Sequence, residues 1–250
     1  MKTVAIFSLK GGTGRTTIAC NLGDQLTAQG FQTVVVDADP QNAVGLHYGM
    51  QVGEPLGMCR LDTSERDLEE YRRRTSAVVP YIPFGHAEFE DVQELEQLVA
   101  ADPSYLNRRI TELTPSDTDL VIVDTPAGPS NLSVPLVLTA DLVLIVLEPD
   151  GMSYATIPAT EELLARRTTP AIVSYLVNGM DGRKQLCVDV KGAMENMLRE
   201  YLLPFAIPMD ESVREAASQQ TTLLRYSPDS YAAHGYRKLA QWLAGNLLEI

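Results

Sequence analysis

The sequence predicts one doubly wound α/β domain over residues 1–250, a mostly parallel sheet with helices on both faces. Three observations lead there. Short, continuous apolar runs recur along the chain, as in strands buried on both faces rather than half-exposed ones. Segments of helical periodicity separate these runs from Lys2 to Ile207, with no linker, repeat or low-complexity tract between them. Several runs end on glycine or aspartate, at the C-terminal strand edge where such sheets bind ligands.

The first run is Val4-Ala5-Ile6-Phe7, and after a glycine-rich turn Ile18, Leu22 and Leu26 recur at helical spacing until Gly30 stops the helix. Thr33-Val34-Val35-Val36 is the second strand and ends in Asp37-Ala38-Asp39-Pro40-Gln41. Residues 43–77 carry glycines and charge, and read as short helices and mobile loops. Within them Arg72-Arg73-Arg74 is a solvated helix face, set among nearby acids, or a partner or phosphate contact. Val78 to Gly85 predicts a strand and its exit turn, Glu88 to Ala100 a helix, and Tyr105 to Leu113 another after Pro103-Ser104. Leu120-Val121-Ile122-Val123 is a strand closed by Asp124-Thr125-Pro126-Ala127-Gly128. Leu142 to Leu147 is the next, closed by Glu148-Pro149-Asp150, with a helix expected over Tyr154 to Arg166. Pro170 to Val177 leads to Asn178, and Leu202 to Pro208 leads to Met209-Asp210. Two helices, near Glu211 to Gln219 and Ser230 to Leu248, close the chain.

Composition narrows the chemistry. The formal charge of −13 disfavours a surface that binds nucleic acid or an anionic bilayer by counter-ion release, so no direct DNA binding is expected. Cys20, Cys59 and Cys187 are odd in number and far apart, which suits a reducing compartment and buried packing roles. His47, His86 and His234 lack metal-ligand spacing. No stretch reaches membrane-span length, and Met1-Lys2-Thr3-Val4 runs straight into a strand, so a cytoplasmic protein without a transmembrane segment is expected.

The chemistry concentrates in Lys10-Gly11-Gly12-Thr13-Gly14-Arg15-Thr16-Thr17, between the first strand and the first helix. Glycines let the backbone turn its N–H groups inward, and the helix adds its positive dipole end, so the turn is built to cradle an anion. Thr16 or Thr17 opens the helix, where a hydroxyl commonly ligates a phosphate-bound Mg²⁺. The ordinary phosphate-loop pattern fails twice, because position 9 is Leu and Arg15 replaces the usual lysine. A guanidinium still binds phosphate through its planar fork, but its bulk displaces the β/γ oxygens, so binding is the firmer inference than hydrolysis. Asp37 and Asp39, two apart at a strand end, face one side. Asp124, closing a buried strand, suits a carboxylate that organises hydrated Mg²⁺.

Together these segments resemble the ParA/MinD family of P-loop NTPases, over essentially the whole chain. The loop is similar to that family's deviant Walker A motif, whose extra lysine is here Lys10. The resemblance implies that Lys10 reaches the partner's nucleotide across a homodimer holding ATP and Mg²⁺. It further implies that Gly11, Gly12, Thr13, Gly14, Arg15, Thr16 and Thr17 bind phosphates. Thr16, Asp37 and Asp124 then serve the metal, Asp39 orients the attacking water, Asn178 recognises the adenine edge, and Pro208 and Met209 border the base. Turnover is expected to be slow or impaired because of Arg15.

Finer features resemble the BcsQ group, which serves bacterial cellulose secretion. These are Tyr81-Ile82-Pro83-Phe84-Gly85, Leu203-Pro204-Phe205 before Met209-Asp210-Glu211, a closing helix with Trp242, and the altered loop. That resemblance implies proteins of a cellulose synthase complex as partners, and recruitment to the inner membrane or pole through them. Two rivals stand beside it. A partition ATPase that binds DNA is disfavoured by charge and by the lack of a C-terminal basic stripe, only Arg237 and Lys238 lying near the end. A MinD-like positioning ATPase on lipid is disfavoured because the last helix lacks lysines on its polar face and Glu249 ends it.

Overall fold

A computed structural model describes residues 1–51, 53, 57–59 and 79–248. The Arg72-Arg73-Arg74 run, Val78, Glu249 and most of the glycine- and charge-punctuated segment lie outside the described residues.

Strands β1 (Lys2–Phe7), β2 (Thr33–Asp37), β3 (Tyr81–Ile82), β4 (Leu120–Asp124), β5 (Leu142–Leu147), β6 (Ile172–Met180) and β7 (Leu202–Pro208) form one sheet, ordered β3-β2-β4-β1-β5-β6-β7. Every pairing in it is parallel. β1 is central, with β4 on one side and β5 on the other. Its alternate residues feed opposite cores, Val4 and Ile6 on one face and Ala5 and Phe7 on the other, which is why the run is apolar throughout.

Helix α1 (Arg15–Ala28) begins one residue before the expected threonine, with Gly14 as its N-cap. It packs against the last helix, Tyr231–Leu247, whose Leu239, Leu243 and Leu247 are buried one turn apart, with Trp242 packed against the same cluster. Each such leucine contributes about 1.5–3 kcal/mol of burial, so this apolar stripe belongs to the core and is not free for lipid. Polar ties reinforce α1. Asn21 accepts from the Leu223 N–H at 2.7 Å, and buried Asp24 accepts from the Thr222 hydroxyl and, at 3.4 Å, from Arg225.

Several boundaries differ from expectation. The helix expected over Tyr154 to Arg166 is two, Gly151–Ala155 and Ile157–Leu164: Asp150 caps the first, and Pro158 sits in the opening turn of the second, where its missing N–H costs nothing. The expected strand after Val78 is only Tyr81–Ile82. β6 runs to Met180, so Asn178 lies within the strand and not after it. Helices Ser133–Thr139 and Gln185–Leu198 were not legible in the periodicity. Cys20 and Cys59 are buried as expected, whereas Cys187 is half-exposed. No helix among the described residues is long and apolar enough to cross a membrane.

Candidate functional site

The C-terminal ends of the central strands converge on the glycine turn. Gly12 (φ 78°) and Gly14 (φ 89°) lie in the left-handed region, where a side chain is strained. At Gly14 a side chain would also force Asn178 to shift, since a β-carbon there would meet Asn178 Nδ2 at 2.5 Å. That amide donates to the Thr13 carbonyl at 2.8 Å, so the residue expected at the adenine edge also braces the loop. Thr13 is buried and its Oγ1 has no partner among the described residues. No acid occupies the first turn of α1 itself.

The carboxylates meet through the register β2–β4, which pairs Asp37 with Asp124. Asp37 is fully buried and accepts from the backbone N–H groups of Val44 (2.9 Å) and Asp39 (3.0 Å). Burial, and then the charge of Asp124, push its carboxyl well above the usual range despite those bonds. Thr16 Oγ1 donates to Asp124 Oδ2 at 2.6 Å, while Asp124 Oδ1 is buried without a partner among the described residues. Burial raises the Asp124 carboxyl to about 7, against the pull of the Thr16 bond and the Arg15 charge. An orphaned buried oxygen in an all-oxygen donor set fits a hard cation such as Mg²⁺. Thr17 sits one position further along α1, and its carbonyl accepts from Asn21 Nδ2 at 2.8 Å.

Arg15 is buried, and its fork is fixed by the protein itself. Nε donates to the Thr125 carbonyl at 3.0 Å and one terminal nitrogen to the Lys10 carbonyl at 3.1 Å, while the other terminal nitrogen stands 3.8 Å from Asp39 Oδ2. Lys10 Nζ is held within its own chain, 2.5 Å from Glu148 Oε2 and 2.6 Å from Asp150 Oδ2. Burial lowers its amine, but the bonds to Asp150 and Glu148 outweigh this and leave it above its ordinary value. Asp150 also caps the helix that follows, accepting from Ser153 N–H at 2.7 Å. These two acids were read in the sequence only as a strand exit, although they too close an apolar run at the ligand-binding edge.

Pro208 and Met209 lie beside Asn178, because Asn178 pairs with Ile207 and Met180 with Pro208. The Met209 N–H donates to the Met180 carbonyl at 2.9 Å, which ties the turn to β6, and the Met209 side chain is exposed. Thus the structure gathers the loop, Asp37, Asp39, Asp124, Asn178 and the 208–209 turn on one edge of the sheet, and adds Glu148, Asp150 and the Thr125 carbonyl.

Comparison with known proteins gives the family and the fold. The family described as "Cellulose biosynthesis protein BcsQ" matches residues 1–244. The cellulose biosynthesis protein BcsQ of Salmonella typhi is 25% identical, the match covering 97% of this chain and 94% of that protein. The sporulation initiation inhibitor protein Soj of Bacillus subtilis is 26% identical over 98% of this chain and 99% of its own. Among solved structures, the septum site-determining protein MinD of Pyrococcus horikoshii, complexed with Mg-ADP, superposes with a TM-score of 0.76 at 24% identity, covering 99% of this chain and 96% of that one. At that identity the superposition speaks for the fold alone.

Proposed function

Because the chain belongs to the BcsQ family and has the P-loop ATPase fold of ParA and MinD proteins, we propose that it binds ATP with Mg²⁺, dimerises around the nucleotide and serves cellulose synthesis or secretion as an accessory protein. The observation that carries the cellulose assignment is the family match over residues 1–244. The nucleotide assignment is supported by the loop geometry and by the unpartnered Asp124 oxygen beside Thr16. Mg²⁺, when bound, supplies positive charge to phosphate oxygens. Thr16, Asp37 and Asp124 are the residues proposed to hold it, directly or through water, and the loop N–H groups and Arg15 to hold the phosphates. Asp39 is proposed to orient water in a slow hydrolysis, and Pro208, Met209 and Asn178 to border the base. The protein is proposed to be cytoplasmic and to reach membrane or pole through protein partners, as the charge of −13 disfavours DNA and lipid.

Calorimetric titration with Mg-ATP tests the first step, and no binding at millimolar nucleotide would exclude it. Gene deletion tests the role: secreted cellulose is expected to fall while plasmid retention and septum placement stay normal. Normal cellulose with unstable plasmids or misplaced septa would assign a partition or division function instead.

Lys10 is proposed as the deviant Walker A lysine that bonds the partner's phosphates, a charge-assisted contact worth about 1.5–3 kcal/mol. To do so it must leave Glu148 and Asp150. Lys10→Ala is therefore expected to weaken ATP-dependent dimerisation in analytical ultracentrifugation more than it weakens ATP binding by the monomer. Equal dimerisation of variant and parent would remove the cross-subunit role.

A further inference from the structure

Arginine at position 15 does something lysine cannot. Its five N–H donors are arranged in a fixed plane, and the structure uses two of them on main-chain carbonyls, Thr125 at 3.0 Å and Lys10 at 3.1 Å. These anchors come from opposite sides of the loop, one from its first residue and one from the segment leaving β4. They fix the guanidinium plane from two sides. The remaining donors have no hydrogen-bond acceptor among the described residues: the nearest acid, Asp39 Oδ2, is at 3.8 Å, an ion pair too long for a hydrogen bond. Asp39 is itself restrained from the other side, its Oδ1 accepting from the Gln41 N–H at 3.0 Å. A buried cation with spare donors, set between an anion cradle and the carboxylate of Asp39, the one acid it pairs with among the described residues, is a two-position contact.

We propose that Arg15 reads the terminal phosphate of the nucleotide and passes its presence to Asp39. This rests on the nucleotide-binding reading and deepens it. The terminal phosphate of ATP takes the free edge of the fork and screens it from Asp39, and Asp39 is released from its ion pair. ADP lacks that phosphate and leaves the pair as it stands. The carbonyl anchors keep the fork from following the phosphate, so the exchange is felt at Asp39 and not absorbed by side-chain motion. A lysine, with one nitrogen, cannot keep both carbonyls and still serve phosphate and carboxylate. Arg15 is on this account an adapted ligand, in contrast to the expectation that its bulk is a handicap.

Calorimetry with ATP and with ADP, each with Mg²⁺, on the parent, Arg15→Lys, Asp39→Asn and the double variant tests this. Arg15→Lys is expected to lower the ATP-over-ADP affinity ratio by at least about tenfold, the loss of one charge-assisted bond, while ADP binding changes little. Asp39→Asn is expected to raise the ratio in the parent and to have a much smaller effect when Lys already stands at position 15. A purely structural role would weaken ATP and ADP alike, and either that result or an unchanged ratio in Arg15→Lys would overturn the proposal while leaving nucleotide binding intact. A parent that binds neither nucleotide would overturn both.

Discussion

Gly14→Ala is expected to lower Mg-ATP affinity on the order of a hundredfold, the equivalent of about 3 kcal/mol or one to two phosphate hydrogen bonds to the loop. Two costs coincide at this position. At φ 89° an alanine is strained, and its β-carbon would lie 2.5 Å from Asn178 Nδ2. Relief means pushing Asn178 off the Thr13 carbonyl, which it holds at 2.8 Å, or opening the turn whose N–H groups form the cradle. Gly30 provides the control, because it has φ 97° but open space around its would-be side chain. Gly30→Ala is expected to cost about 1–2 kcal/mol of stability from strain alone and to leave nucleotide binding unchanged. Titration and thermal unfolding of both variants check this. If Gly14→Ala bound ATP as the parent does, the loop would not be the phosphate site.

The second large effect concerns pH. Asp124 carries its proton in the folded chain up to about 7, against a usual 3.8, because burial disfavours its charge. Between these values the folded state binds a proton that the unfolded chain has lost, so stability must fall as pH rises through that window. The contribution is fully present below about pH 4 and gone above about pH 8, which amounts to on the order of 2–3 kcal/mol between pH 5 and pH 8. Urea unfolding without divalent cation is expected to show this slope in the parent and a flatter one in Asp124→Asn, where Asp37 is the only one of the paired acids left to lose a proton. Mg-ATP is expected to stabilise the parent more at pH 8 than at pH 5, because cation binding needs the ionised carboxylate. Stability that rose with pH over this range, or an identical slope in Asp124→Asn, would mean that the buried carboxylate is balanced in some other way.

The central strands β1, β2, β4 and β5 were legible because they are buried on both faces over most of their length, so each apolar run is continuous and needs no neighbour to explain it. Leu142–Leu147 and Leu202–Pro208 appear in the structure with the limits that the sequence suggests, as does the helix Tyr105–Leu113. The helix Gln185–Leu198 was not legible because its apolar residues are not confined to a buried stripe: Leu186, Val188 and Met197 are exposed, and only Met194 and Leu198 are buried. The one expected over Tyr154 to Arg166 splits because a side-chain cap and a proline, both local, together restart the helix.

The same division runs through the site. Sequence alone determined the residue types, namely a glycine turn before a helix and acids at strand ends, because those demands are local to each turn. What the tertiary structure decided is which of them meet. Placing β1 between β4 and β5 brings Lys10 to Glu148 and Asp150, 138 and 140 residues away, and Arg15 to the Thr125 carbonyl, 110 residues away. It also decides that Asn178 braces the loop and that one oxygen of Asp124 is left without a partner among the described residues. Hydrogen bonds of this kind are specified by strand order and register, and local sequence carries neither.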